Sequence, residues 1–168
     1  MTQELRERLA AESRRIEEDS DHSARSHYNA ADRWGHYHLW IGLPATILAA
    51  VAGGAAFNNC QIIAVALSII VTALTTVLTF LKPSERAEIH KSAADQFLGL
   101  RNKSRLFREV ELSDATDMES VKAKLLELAA VRDELNRSSP GIPREDYEKA
   151  KRDIDSGSSQ YRVDMEGK

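Results

Sequence analysis

The chain is poor in the residues from which most catalytic and metal sites are built. Cys60 is the only cysteine in 168 residues, which excludes an intramolecular disulfide and a thiolate metal centre and leaves open only an intermolecular bond. Five histidines are present. His36 and His38 are two apart and point in different directions on a helix, so they do not share a metal. His90 lacks the second histidine one helical turn away that a zinc-protease helix carries. His22 and His27 sit in a charged segment, where they are expected to face water. There is no glycine-rich phosphate loop, nucleophile elbow or Cys-x-x-Cys pair. Acid pairs such as Glu17-Glu18 read as a solvated face. A net charge of −3 argues against a nucleic-acid partner, which needs a clustered basic face. These residues do not describe an enzyme, and no cofactor or metal ion is expected.

The largest absence is of charge itself. Trp34–Leu81 is a run of 48 residues without Asp, Glu, Lys or Arg, in a chain that is 29% charged overall. About 20 apolar residues cross roughly 30 Å of hydrocarbon. Residues 39–57 and 62–81 are each long enough, and Asn58-Asn59-Cys60-Gln61 between them suits only a tight turn. The expectation is a transmembrane hairpin. A soluble hairpin would need the remaining polar-rich residues to cover two wholly apolar helices, which they are too few and too charged to do. The apolar run lies far from Met1, behind a charged segment, so it is not a signal peptide. Arg25 and Arg33 precede the first span, Lys82, Arg86 and Lys91 follow the second, and the turn has neither Lys nor Arg. Both termini are therefore expected in the cytoplasm. Trp34, Tyr37 and Trp40 are the expected interfacial anchors.

No strand signal occurs anywhere, and the fold class expected is all-α: the hairpin, a cytoplasmic N-terminal helix and a C-terminal helical bundle. The expected boundaries are 1–38 for the N-terminal helix, 39–81 for the hairpin, 82–157 for the C-terminal helices and 158–168 for a flexible tail. In residues 1–33, Leu5, Leu9, Ile16, Ala24, Tyr28 and Ala31 make only a thin apolar stripe, which is expected to pack on the C-terminal helices. At Asp32-Arg33 the helix either runs straight into the span or breaks. Ser84 is the expected cap of the next helix. Its core stripe is Ile89, Ala93, Phe97, Leu100, Ser104 and Phe107, and a further helix carries Val121, Leu125, Leu128, Val131 and Leu135. Residues 138–143 form a turn, and 144–156 a short polar helix stopped by Gly157.

The spans differ in kind. In the first, Ala45, Ala49 and Gly53 recur every fourth residue, a small-residue row that lets membrane helices approach closely. In the second, Ser68, Thr72, Thr75, Thr76 and Thr79 share one face. Two readings of that face are open. The hydroxyls line a water-filled path between several copies, or they bond to their own carbonyls and to neighbouring helices. Neither span has an acid, base or histidine at mid-depth, which argues against ion-coupled transport.

After the second span come Phe80-Leu81-Lys82-Pro83-Ser84-Glu85-Arg86-Ala87, then His90, Ala93-Ala94, Phe97, Leu100-Arg101 and Phe107. Further on stand Arg132-Asp133-Glu134-Leu135-Asn136, a Ser-Pro pair, a Pro-containing turn and Tyr147. From about Tyr28 to Tyr161 this pattern resembles SLATT-domain proteins, the bacterial two-transmembrane effectors of nucleotide-signalling and SLOG systems. The resemblance implies a homo-oligomeric pore that disrupts the inner membrane in anti-phage abortive infection. It also implies a cyclic-nucleotide trigger or a nucleotide-sensing partner protein, and it carries over no catalytic residue. Lys82, Arg86, Lys91 and Arg101 are then possible contacts for an anionic nucleotide, although lipid headgroups or plain solvation explain them equally. The alternative function is a non-catalytic membrane scaffold whose cytoplasmic helices recruit a soluble partner.

Overall fold

The computed structural model describes residues 2–114 and 116–158. The chain is all-helical, with no strand among the described residues. Its helices are α1 (Thr2–Phe57), α2 (Gln61–Leu81), α3 (Pro83–Leu106), α4 (Met118–Ser138) and α5 (Arg144–Asp155), and a π-helical turn (Phe107–Glu111) follows α3. Of the tail assigned to 158–168, all but Ser158 lies outside the described residues. Two compact units are formed, one from Met1–Ala30 with Ile89–Lys168 and one from Ala31–Glu88.

The first unit is a helical bundle built from the N-terminal part of α1, most of α3, the π-helical turn, α4 and α5. Contacts between Ser13 and Ser104 and between His27 and His90 show that α1 and α3 run antiparallel. Its core is Leu9, Ile16, Ala24, Phe97, Leu100, Phe107, Leu112, Val121, Leu125, Leu128 and Leu135. Most of the expected stripes are inside. Ile89 is 54% exposed and Val131 39%, and the inward position beside Ile89 belongs to His90 instead.

Between Phe107 and Leu112 the helix takes in one extra residue. Leu112 N–H donates to Phe107 C=O at 2.8 Å, an i→i+5 bond of the kind that defines a π-bulge. Both residues are buried, whereas Glu111, which a regular turn would have pointed inward, is exposed. The bulge replaces a buried carboxylate with a leucine.

Charged pairs close the bundle's flanks. Asp21, 7% exposed, lies between Arg25 at 3.1 Å and Arg101 at 3.3 Å, and Glu17 meets Arg108 at 2.7 Å. Removing one partner of such a partly buried pair would leave a charge without its counter-ion and is expected to destabilise the bundle.

In the second unit α1 passes Asp32-Arg33 without a break. It ends at Phe57, and the chain turns through Asn59, whose φ of 58° an asparagine tolerates in the left-handed region. α2 then folds back, so that a Cβ added at Gly42 would meet Leu78 Cδ1 at 3.7 Å. Lys82, at φ 46°, donates its N–H to Leu78 C=O at 2.9 Å and ends α2. Pro83 opens α3, and Ser84 falls inside that helix rather than capping it. Proline suits a first helical position because its missing N–H would have had no partner there.

Candidate functional site

The apolar pair is the feature to explain. Both helices are long and apolar enough to cross a membrane, and α2 contains no buried residue at all. Leu39, Leu43, Ile47, Val51, Phe57, Ile62, Ile69 and Phe80 are all exposed, Phe57 to 92%. A water-facing surface of this size would be a severe aggregation liability.

Where α1 and α2 meet, the covered residues follow a heptad-like spacing. On α1 they are Ala45, Leu48, Ala52 and Ala55, and on α2 Ala64, Leu67, Val71, Leu74 and Leu78, each at least partly covered. Such a seam sets mostly small side chains of α1 against larger ones of α2, a pattern that suits close packing of antiparallel helices. The row expected from sequence coincides with it only at Ala45. Ala49 and Gly53 point outward, and a Cβ added at Gly53 would touch nothing within 4 Å.

The five hydroxyls of α2 are all exposed, and each donates back into its own helix. Ser68 bonds Ala64 C=O at 2.8 Å, Thr72 bonds Ser68 C=O at 2.8 Å, and Thr75 bonds Val71 C=O at 2.9 Å. Thr76 bonds Thr72 C=O at 2.7 Å and Thr79 bonds Thr75 C=O at 2.8 Å. In this state the hydroxyl protons are satisfied without water, and the oxygens keep lone pairs that face outward. Ser68 and Thr72 also line a shallow groove with Ala64, Val65, Ile69 and Ala73.

The anchors form a cluster at one end of the pair. Trp34 and Tyr37 meet edge to face at 5.6 Å, and Trp40 is 74% exposed. Arg33 lies 5.4 Å from the Trp34 ring centre and Arg86 4.9 Å from it. Arg86 Nε donates to Leu81 C=O at 2.9 Å, and Lys82 pairs with Glu85 at 3.1 Å. Arg101, grouped with these by sequence, is bound to Asp21 inside the bundle unit. Lys91 is exposed on α3.

A polar pair in the bundle was not foreseen. His27, expected in water, is 1% exposed, and its Nδ1 lies 3.0 Å from Nδ1 of His90, itself 5% exposed. At that distance one Nδ1 carries a proton and donates while the other accepts through its lone pair. His27 also stacks on Phe97 at 5.6 Å. Burial, and after it the neighbouring His90, together push the His27 imidazole down to about 4. His22 is lowered as well, chiefly by burial, and lies 4.1 Å from the Tyr147 ring. The sequence signal was available: His27 continues the heptad of Leu9, Ser13, Ile16, Ser20 and Ala24. Tyr28 donates to Asp95 at 2.5 Å, which pushes the phenol up to about 12.

No group of three or more potential metal ligands occurs among the described residues. Comparisons of the chain with protein-family models, with curated proteins and with solved structures found no match.

Proposed function

We propose that the chain is a two-pass membrane effector of the SLATT kind, with both termini in the cytoplasm of a bacterium. In this reading it is not an enzyme, and it acts by assembling into a pore that disrupts the inner membrane during anti-phage defence. The observation that supports it most is α2, a 21-residue apolar helix with no buried residue. Lipid is the solvent that makes such a surface favourable.

The hydroxyl face supports the pore in particular. Bonded back to their carbonyls, Ser68, Thr72, Thr75, Thr76 and Thr79 are tolerated against lipid in a resting state. In an oligomer the same oxygens accept hydrogen bonds from water along an axis. The trigger is a cyclic nucleotide or a nucleotide-sensing partner protein, and it shifts the equilibrium only as far as its affinities for the two states differ. For a direct nucleotide contact, Arg101 is engaged with Asp21 inside the bundle and Lys82 with Glu85, so Arg86 and Lys91 are the first candidates. The alternative, a membrane scaffold that recruits a soluble partner, needs no hydroxyl face.

Dye leakage from vesicles carrying the inserted protein separates the two, with a panel of cyclic nucleotides as triggers. Leakage that disappears in the Thr72→Val/Thr76→Val variant supports the pore. Vesicles that stay tight under every condition, with insertion demonstrated, favour the scaffold.

A further inference from the structure

Two guanidinium groups converge on one indole at the end of the apolar pair. Arg33 comes from α1 and Arg86 from the first turn of α3, 53 positions apart in sequence, and both lie over Trp34 at 5.4 and 4.9 Å. Arg33 also lies 5.8 Å from the Tyr37 ring. Two helices thus bring basic side chains to the same ring. Arg86 is fixed on one edge only: its Nε is taken by Leu81 C=O at 2.9 Å. Its two terminal nitrogens have no acceptor among the described residues, and the nearby Glu85 carboxylate is held by Lys82. The indole face and the carbonyl therefore orient a guanidinium fork whose free edge is exposed.

We propose that this arrangement is a phosphate site, and that its occupant is the headgroup phosphate of an anionic phospholipid. The inference rests on the membrane reading, which puts Trp34 and Arg86 at the headgroup level, where aromatic rings and basic residues meet lipid phosphates. A guanidinium fork matches two phosphate oxygens at once, as a lysine cannot. A phosphate monoester free in solution offers the same oxygens, so the test carries an arm for each source.

Trp34 reports on the site once Trp40, the only other tryptophan, is replaced by Phe. The Trp40→Phe protein in neutral detergent micelles is titrated with brominated phosphatidylglycerol and, separately, with brominated phosphatidylcholine, each quenching Trp34 on contact. The expected result is saturable quenching with roughly fivefold tighter half-saturation for phosphatidylglycerol. Arg86→Gln loses that preference, and Arg86→Lys keeps only part of it. Inorganic phosphate that fails to displace the lipid identifies the membrane source; displacement at low concentration identifies the free one and overturns the lipid assignment. Equal quenching by both lipids, or a full preference in Arg86→Lys, would overturn the clamp. Flotation with vesicles is measured alongside: a protein that fails to float sinks the membrane reading itself, whereas one that floats without an Arg86-dependent preference sinks only this site.

Discussion

Acid should loosen the helical bundle through His27. The ring is neutral and buried in the folded bundle and protonates only near pH 4, whereas in the unfolded chain it takes a proton at its ordinary 6.5. A histidine held down in this way contributes stability that is fully present above pH 6.5. As pH falls below 6.5 the unfolded state gains a proton that the folded state refuses, and stability drops until the folded ring also protonates, near pH 4. Integrated over that window the loss is about 3 kcal/mol, a large part of a small bundle's stability. Burial and His90 are the causes at work on this ring, so the effect can be isolated by removing the titration. His27→Gln keeps a polar group in place and is expected to cost about 1–2 kcal/mol above pH 6.5. Its stability should then fall distinctly less than that of the parent between 6.5 and 4, and the residual slope includes His22, whose shift has the same sign. The assay is denaturant unfolding of the full chain in detergent, followed by far-ultraviolet circular dichroism at several pH values. Parallel pH profiles for parent and variant would refute the reasoning, because the His27 ring would then not be held neutral by burial.

Phe97→Ala removes a ring that is 2% exposed and stacked on His27. It should cost about 3–5 kcal/mol in the same unfolding assay. Ser13 donates to Ser104 C=O at 2.8 Å across the bundle, and Ser13→Ala should cost about 1 kcal/mol. The Thr72→Val/Thr76→Val variant should insert normally and change stability by less than about 0.5 kcal/mol, because its hydroxyls bond only within α2. Circular dichroism and thermal unfolding of the inserted variant check this, so that any loss of leakage can be assigned to the pore.

The apolar helices were legible because their signal is absence of charge, which no tertiary context disguises: 62–81 was expected and Gln61–Leu81 is found. The bundle was legible wherever its core is aliphatic or aromatic. The α1 stripe looks thin because several of its inward positions are serines or a histidine. Ser13, Ser20, Ser26 and His27 are all buried, and counting apolar residues alone passes over them. A count of apolar residues likewise puts Ile89 inside and passes over His90. The π-bulge had one trace in the sequence, the five-residue step from Phe107 to Leu112. A regular period would have put Glu111 there, and only the burial of Leu112 reveals the extra residue. At the basic end, charge alone grouped Arg101 with Lys82 and Arg86; its carboxylate partner Asp21 lies 80 positions away in sequence, beyond the reach of any local pattern.

Everything proposed for this chain depends on the apolar pair crossing a bilayer with its turn outside, and the single cysteine reports on that without any mutation. Cys60 is exposed in the turn between α1 and α2. A membrane-impermeant maleimide applied to intact spheroplasts should label it at once, while a Cys60→Ser variant stays unlabelled. Labelling only after the cells are lysed, or recovery of the protein in the soluble fraction, would contradict the topology and the pore reading with it.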